Sequence, residues 1–102
     1  MSVASININE AIARTVEQNG ILIDVRSQKE FLEGHLPMAI NVPLNEIQSG
    51  RFNLPKQRLL VLYCDSGLHS LNAARYLERR GYRVINTIGG LSSYNKSLTL
   101  KH

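Results

Sequence analysis

The chain has 102 residues, 43% of them apolar, with a formal charge of +4 and a single cysteine. That length suits one hydrophobic core and is too short for two, so residues 1–102 are expected to form a single domain. No stretch approaches the roughly 20 apolar residues of a membrane span, and one cysteine excludes an internal disulfide.

Asn7 and Glu10 have the spacing of a capping box, and Ile8, Ala11, Ile12 and Val16 follow on one face until Gly20, which predicts a first helix over residues 8–19. The nearly continuous apolar run Ile21-Leu22-Ile23-Asp24-Val25 predicts a strand buried on both faces. Ser27 and Glu30 repeat the capping-box spacing, so a short helix is expected through Glu33, ending at Gly34. Ala39-Ile40-Asn41-Val42 reads as a short strand closed by Pro43, followed by a helical turn over Leu44–Gln48. Residues 48–58 hold Gly50, Pro55 and several polar groups and read as a surface connection.

Leu59-Leu60-Val61-Leu62-Tyr63 is the most hydrophobic strand and the natural central one. A helix follows Gly67, with Leu71, Ala74, Tyr76 and Leu77 as its apolar contacts and Gly81 as its stop. Arg83–Thr87 is the next strand, and Gly89-Gly90 turns the chain into a short last helix bearing Leu91 and Tyr94. His102 reads as a free terminus. Strands alternating with helices predict an α/β domain, a largely parallel sheet with helices on both faces.

The chemistry concentrates in Cys64-Asp65-Ser66-Gly67-Leu68-His69-Ser70, between the strongest strand and the longest helix. A lone cysteine is more often a buried apolar thiol than a nucleophile. Its place reverses that reading, because ligands of open parallel sheets bind beyond the carboxyl ends of the strands. A loop curled around the sulfur would aim successive backbone N–H groups and the positive end of the next helix at it. Gly67 permits the backbone turn, and Ser66 and Ser70 can add hydroxyl donors.

These segments resemble the rhodanese family. Leu22–Arg26, Glu30-Phe31, Gly34–Pro37 and Ala39–Pro43 are similar to its N-terminal signature, Tyr63 to Ser70 to its active-site loop, and Gly89-Gly90-Leu91 with Tyr94 to its C-terminal Gly-Gly pair followed by an aromatic. The resemblance implies a three-layer domain with a parallel sheet of about five strands. It also implies a sulfurtransferase in which Cys64 takes sulfur from a donor such as thiosulfate or a persulfide and passes it to cyanide or a thiol. Asp65, Ser66, Gly67, Leu68, His69 and Ser70 are the expected substrate-binding residues. No cofactor, metal, nucleic acid or membrane is expected as a partner, and an acceptor protein is an open alternative. Without a second cysteine the persulfide must be resolved by an acceptor outside the chain.

Two positions depart from the family pattern. Asp65 stands where a basic residue usually follows the cysteine, and His69 where an arginine usually stands. A carboxylate about 6 Å from a thiolate costs about 0.7 kcal/mol in water and about 3 kcal/mol at an effective dielectric near 20. Hydrogen bonds from N–H groups to the anion return roughly 1.5–3 kcal/mol each. Activity is therefore expected to survive, with the dianion thiosulfate a poor donor. Asp24, Arg26 and His35 read as satisfying nearby backbone groups rather than as a second catalytic cluster, and Met38, where the family commonly has glycine, bears on the local turn.

Competing readings are a non-catalytic binding module and, further off, a phosphatase or arsenate reductase. The phosphatases of this fold carry an arginine six positions after the cysteine, and that position is Ser70. Arg75, Arg79, Arg80 and Arg83 read as cations favoured at a helix C-terminus and on a solvated face. Met1–Ser5 has no basic region followed by an apolar run, so the cytoplasm is the expected compartment, or the periplasm if a leader has been removed.

Overall fold

The structure, a computed structural model, describes residues 3–98; His102 lies outside them. Its strands are β1 (Ala4–Asn7), β2 (Ile21–Asp24), β3 (Ile40–Asn41), β4 (Leu60–Tyr63) and β5 (Val84–Ile88). The helices are α1 (Ala11–Glu17), α2 (Gln28–Glu33), α3 (Leu44–Gln48) and α4 (Leu68–Arg79), with 3-10 turns at Ile8–Glu10 and Leu91–Ser93. All the pairings are parallel, in the order β1-β5-β4-β2-β3, as expected of a rhodanese-like α/β domain.

The central strand β4 is buried at every residue, and its period of two divides the core. Leu60, Leu62 and Cys64 join Ile23, Val25, Ile47, Ala73, Ala74 and Leu77 on the face covered by α3 and α4. Val61 and Tyr63 join Ile8, Ala11, Leu22, Leu36 and Ile85 on the face covered by α1. Cys64 thus extends the inward row of β4 one step past its end.

Both capping boxes form, Asn7 with Glu10 and Ser27 with Glu30. Three expectations need correction. Ala4–Asn7 pairs with β5 as an edge strand, and the first helix is shorter than residues 8–19 because the α-helix ends at Glu17 and the turn before it, Ile8–Glu10, is 3-10. That tighter turn advances the buried face by about three residues rather than 3.6, so Ile8, Ala11 and Thr15 are buried while Val16 is 64% exposed. The Thr15 hydroxyl donates to the Ala11 carbonyl at 2.7 Å, which satisfies it in the core.

The 48–58 connection is not purely superficial. Leu54 is buried, Phe52 packs against the core, and Arg58 donates to the carbonyls of Asn19 and Gly20 at 3.0 and 2.8 Å. On α4, Ala74 and Leu77 are buried as expected, but Ser70 and Ala73 complete that face while Leu71 and Tyr76 lie at its margin. Met38 has φ +65°, a conformation that favours glycine and accounts for the residue type common there.

Candidate active site

The chain leaves β4 at Tyr63 and re-enters regular structure at Leu68, so four residues must bring it round into α4. Gly67 makes the turn with φ +96°. A Cβ there would also lie 3.0 Å from the Thr87 carbonyl oxygen, so glycine is required on two counts.

This turn leaves the first N–H groups of α4 without carbonyl partners. Cys64 Sγ accepts from the backbone N–H of Gly67 at 3.1 Å and of Ser70 at 3.3 Å. The thiol also donates to Ser70 Oγ at 3.4 Å, a hydroxyl that can donate back once the sulfur is anionic. The sulfur therefore caps α4 in place of a side-chain oxygen. Two N–H groups and the positive end of a three-turn helix stabilise negative charge on it.

Not all the residues expected around the sulfur reach it. Ser66 was expected to offer its hydroxyl, but its Oγ accepts from the Leu68 N–H at 3.4 Å. Leu68 is 69% exposed and His69 is exposed, and neither side chain bonds to the sulfur. Asp65 turns away toward Arg26, whose Nη1 lies 3.6 Å from its carboxylate. Partial burial, opposed by the Arg26 guanidinium and reinforced by the Glu30 carboxylate, pushes the Asp65 carboxyl above its usual range. Gly67 and Ser70 are the two of the six that bond to Sγ.

Asp24 and Arg26 form a brace. Arg26 Nε and Nη2 donate to the buried Asp24 carboxylate at 3.1 and 2.8 Å, and Nη2 also donates to the Gly34 carbonyl at 2.6 Å. Next to it His35 stacks on Phe31 at 3.8 Å, and its Nδ1 bonds the Leu36 carbonyl. These contacts give all three residues a structural role, but Arg26 additionally ties the active-site loop to the end of β2 through Asp65.

The support beneath the loop was not legible as such. Leu91 N–H donates to the Cys64 carbonyl at 2.9 Å, Ser92 N–H to the Asp65 carbonyl at 3.1 Å and Ser92 Oγ to the same oxygen at 3.0 Å. Gly90 makes this approach possible, since a Cβ on it would run into the Asp65 carbonyl group. From β5, the buried Asn86 amide donates to the Gly67 carbonyl at 3.3 Å. The Gly-Gly pair and a polar residue inside the apolar strand Val84–Ile88 were the available signals.

A parallel sheet whose central strand delivers a cysteine sulfur into the first turn of the next helix is the architecture of the rhodanese class. The chain matches the Rhodanese-like domain family over residues 8–97 and belongs to it. It is 34% identical over 73 residues to the putative sulfurtransferase YtwF of Bacillus subtilis, covering 72% of this chain and 71% of that one. It is also 34% identical over 89 residues to a sulfurtransferase of Allochromatium vinosum, covering 86% and 81%. A solved rhodanese homolog of Thermus thermophilus superposes with a TM-score of 0.71 at 36% identity, over 91% of this chain and 100% of that one. Sulfur transfer is thus the activity in the names of these two bacterial relatives. No helix among the described residues is long and apolar enough to cross a membrane.

Proposed function

We propose that this chain is a single-domain sulfurtransferase that carries a sulfane sulfur as a persulfide on Cys64. The observation that carries this reading is the sulfur's position as acceptor of the Gly67 and Ser70 N–H groups at the head of α4. In the first half-reaction the thiolate attacks the sulfane sulfur of the donor. A sulfur–sulfur bond forms as the donor's own bond breaks, and sulfite leaves if the donor is thiosulfate. In the second half-reaction an external nucleophile attacks the outer sulfur and departs with it, as thiocyanate from cyanide or as a persulfide from a thiol, and the Cys64 thiolate is regenerated. The N–H cradle stabilises negative charge both before and after loading.

Cys64 is 1% exposed, so a donor's access requires movement in the surrounding loop, where Ser66, Leu68 and His69 are exposed. A phosphatase reading finds no support: Ser70 is fully buried at the position of the phosphatase arginine and brings no guanidinium. Mass spectrometry after exposure to cysteine persulfide tests the proposal. One added sulfur atom, removable by cyanide, is expected on Cys64; an unmodified protein would indicate a binding module instead.

The rim of the site sets the donor. Arg26 is the cation tied to the active-site loop, and Asp24 and Asp65 already engage it. Replacing Asp65 with Asn removes a repulsion and leaves Arg26 Nη1 without its counter-ion, while His69→Arg adds a permanent charge. Each substitution is expected to raise kcat/KM for thiosulfate by about tenfold, the equivalent of about 1.4 kcal/mol. Steady-state kinetics with thiosulfate and cyanide check this. Unchanged values in both variants would show that rim charge does not select the donor.

A further inference from the structure

Away from the sulfur, at the C-terminal end of α4, lies a concavity of about 510 Å³ lined by Lys56, Tyr76, Arg79 and Arg80. We propose that it binds a compact polyanion of the phosphoanhydride type, at a site separate from the Cys64 cradle. α4 spans 12 residues, so its two ends are about 18 Å apart at 1.5 Å per residue. An ion at one end does not occupy the other.

The cations of this concavity come from two separate segments of the chain. Arg79 and Arg80 close α4, where the helix dipole favours positive charge whether or not a ligand binds. That does not account for Lys56, which comes from the 48–58 connection and meets them across the concavity. All three cations are exposed, and two of them rest against aromatic rings. The Arg80 guanidinium lies 4.4 Å from the Tyr76 ring centroid, and Lys56 Nζ lies 5.5 Å from that of Tyr82. The Tyr82 hydroxyl is fixed in turn by donating to the Leu54 carbonyl at 3.0 Å.

Among the described residues no carboxylate lines the concavity. Among the described residues the ion pairs all involve Arg26, so Lys56, Arg79 and Arg80 have no acidic partner. Three convergent, uncompensated cations attract several negative charges close together, and two arginines can offer paired N–H donors to phosphate oxygens. The volume lies within the range of about 300–1,000 Å³ of small-molecule sites, which suits a phosphate chain or a nucleotide.

The test is a titration of the isotope-labelled full chain with inorganic triphosphate, followed by backbone amide shifts. Saturable shifts centred on residues 54–57 and 76–82 are expected. Arg79→Gln and Arg80→Gln should each weaken binding by about tenfold, as loss of a charge-assisted contact does. Arg75→Gln removes an exposed arginine of α4 outside the concavity and should change affinity by less than about twofold, the difference between a built site and diffuse attraction. Persulfide loading of Cys64, measured in the same variants, should be unchanged and so reports intact folding.

A nucleoside triphosphate that binds as tightly as the inorganic ion, or more tightly, supports the assignment and identifies whether the phosphate chain alone is recognised. Linear, unsaturable shifts would overturn it, as would equal weakening by Arg75→Gln. A single-stranded oligonucleotide of equal charge that outcompetes triphosphate would overturn it in favour of nucleic-acid binding.

Discussion

Cys64→Ser is expected to abolish persulfide loading and to lower turnover by at least about 10⁴-fold, as removal of a nucleophile does, while the chain stays folded. The geometry makes serine the informative substitution. Sγ accepts from the Gly67 and Ser70 N–H groups, and a hydroxyl oxygen at nearly the same place still can. Alanine cannot. Because Cys64 also packs in the core with Leu62 and Ala73, Cys64→Ala loses both the cap and part of the packing. Loss of a helix cap alone costs about 1 kcal/mol. Cys64→Ala is therefore expected to be less stable than Cys64→Ser by about 1–2 kcal/mol, with both inactive. Thermal melts and intact-mass measurement of loading separate the two effects. Sulfur transfer retained by Cys64→Ser would refute the persulfide mechanism, and failure of that variant to fold would make Cys64 a packing residue.

Gly90→Ala is expected to be the most damaging single-methyl change in the chain. Gly90 has φ +56° and ψ −164°, a combination that is nearly confined to glycine. An added Cβ would sit 2.5 Å from the Cys64 carbonyl oxygen and closer still to the Asp65 carbonyl group. Those neighbours are backbone of the active-site loop and cannot swing aside as a side-chain tip could. Backbone strain of about 1–3 kcal/mol and overpacking of similar size add to about 2–5 kcal/mol, a large share of the 5–15 kcal/mol that holds a typical domain.

Tm should fall by at least about 10 °C, and whatever remains folded should load sulfur poorly, because the Leu91 and Ser92 bonds to the loop carbonyls must break. Gly50→Ala is the control. Gly50 also has a positive φ, +77°, but a Cβ there would meet nothing within 4 Å, so it carries the backbone strain without the collision. A Gly90→Ala protein as stable and as readily loaded as the parent would show that the loop does not rest on the Gly-Gly turn.

What the sequence by itself determined is whatever depends on residues a few positions apart. The capping boxes at Asn7 and Ser27, the helical turn at Leu44–Gln48 and the stop after α4 are contests among neighbours, so the residue types decide them. The same holds for β4, whose unbroken apolar run leaves no solvent-facing side, and for the placing of Cys64 at its end. The family motifs added the order of these pieces and, with them, the fold.

The tertiary structure alone decided what depends on partners distant in the chain. Ala4–Asn7 has no strand signature of its own, and its ladder exists because Ile85 to Ile88 of β5 lie alongside. Asp65 was legible as an anion beside the sulfur, but its direction was set by Arg26, brought within 3.6 Å by the pairing of β2 with β4. Lys56 and Arg79 line one concavity only after the 48–58 connection folds back beside α4. Gly90 could be recognised as a turn residue, whereas its closeness to the Cys64 and Asp65 carbonyls appeared only when β5 took its place next to β4. Short-range hydrogen bonds and apolar periodicity are written in consecutive residues; these longer contacts arise from the register in which separate strands pair, which no local run of residues specifies.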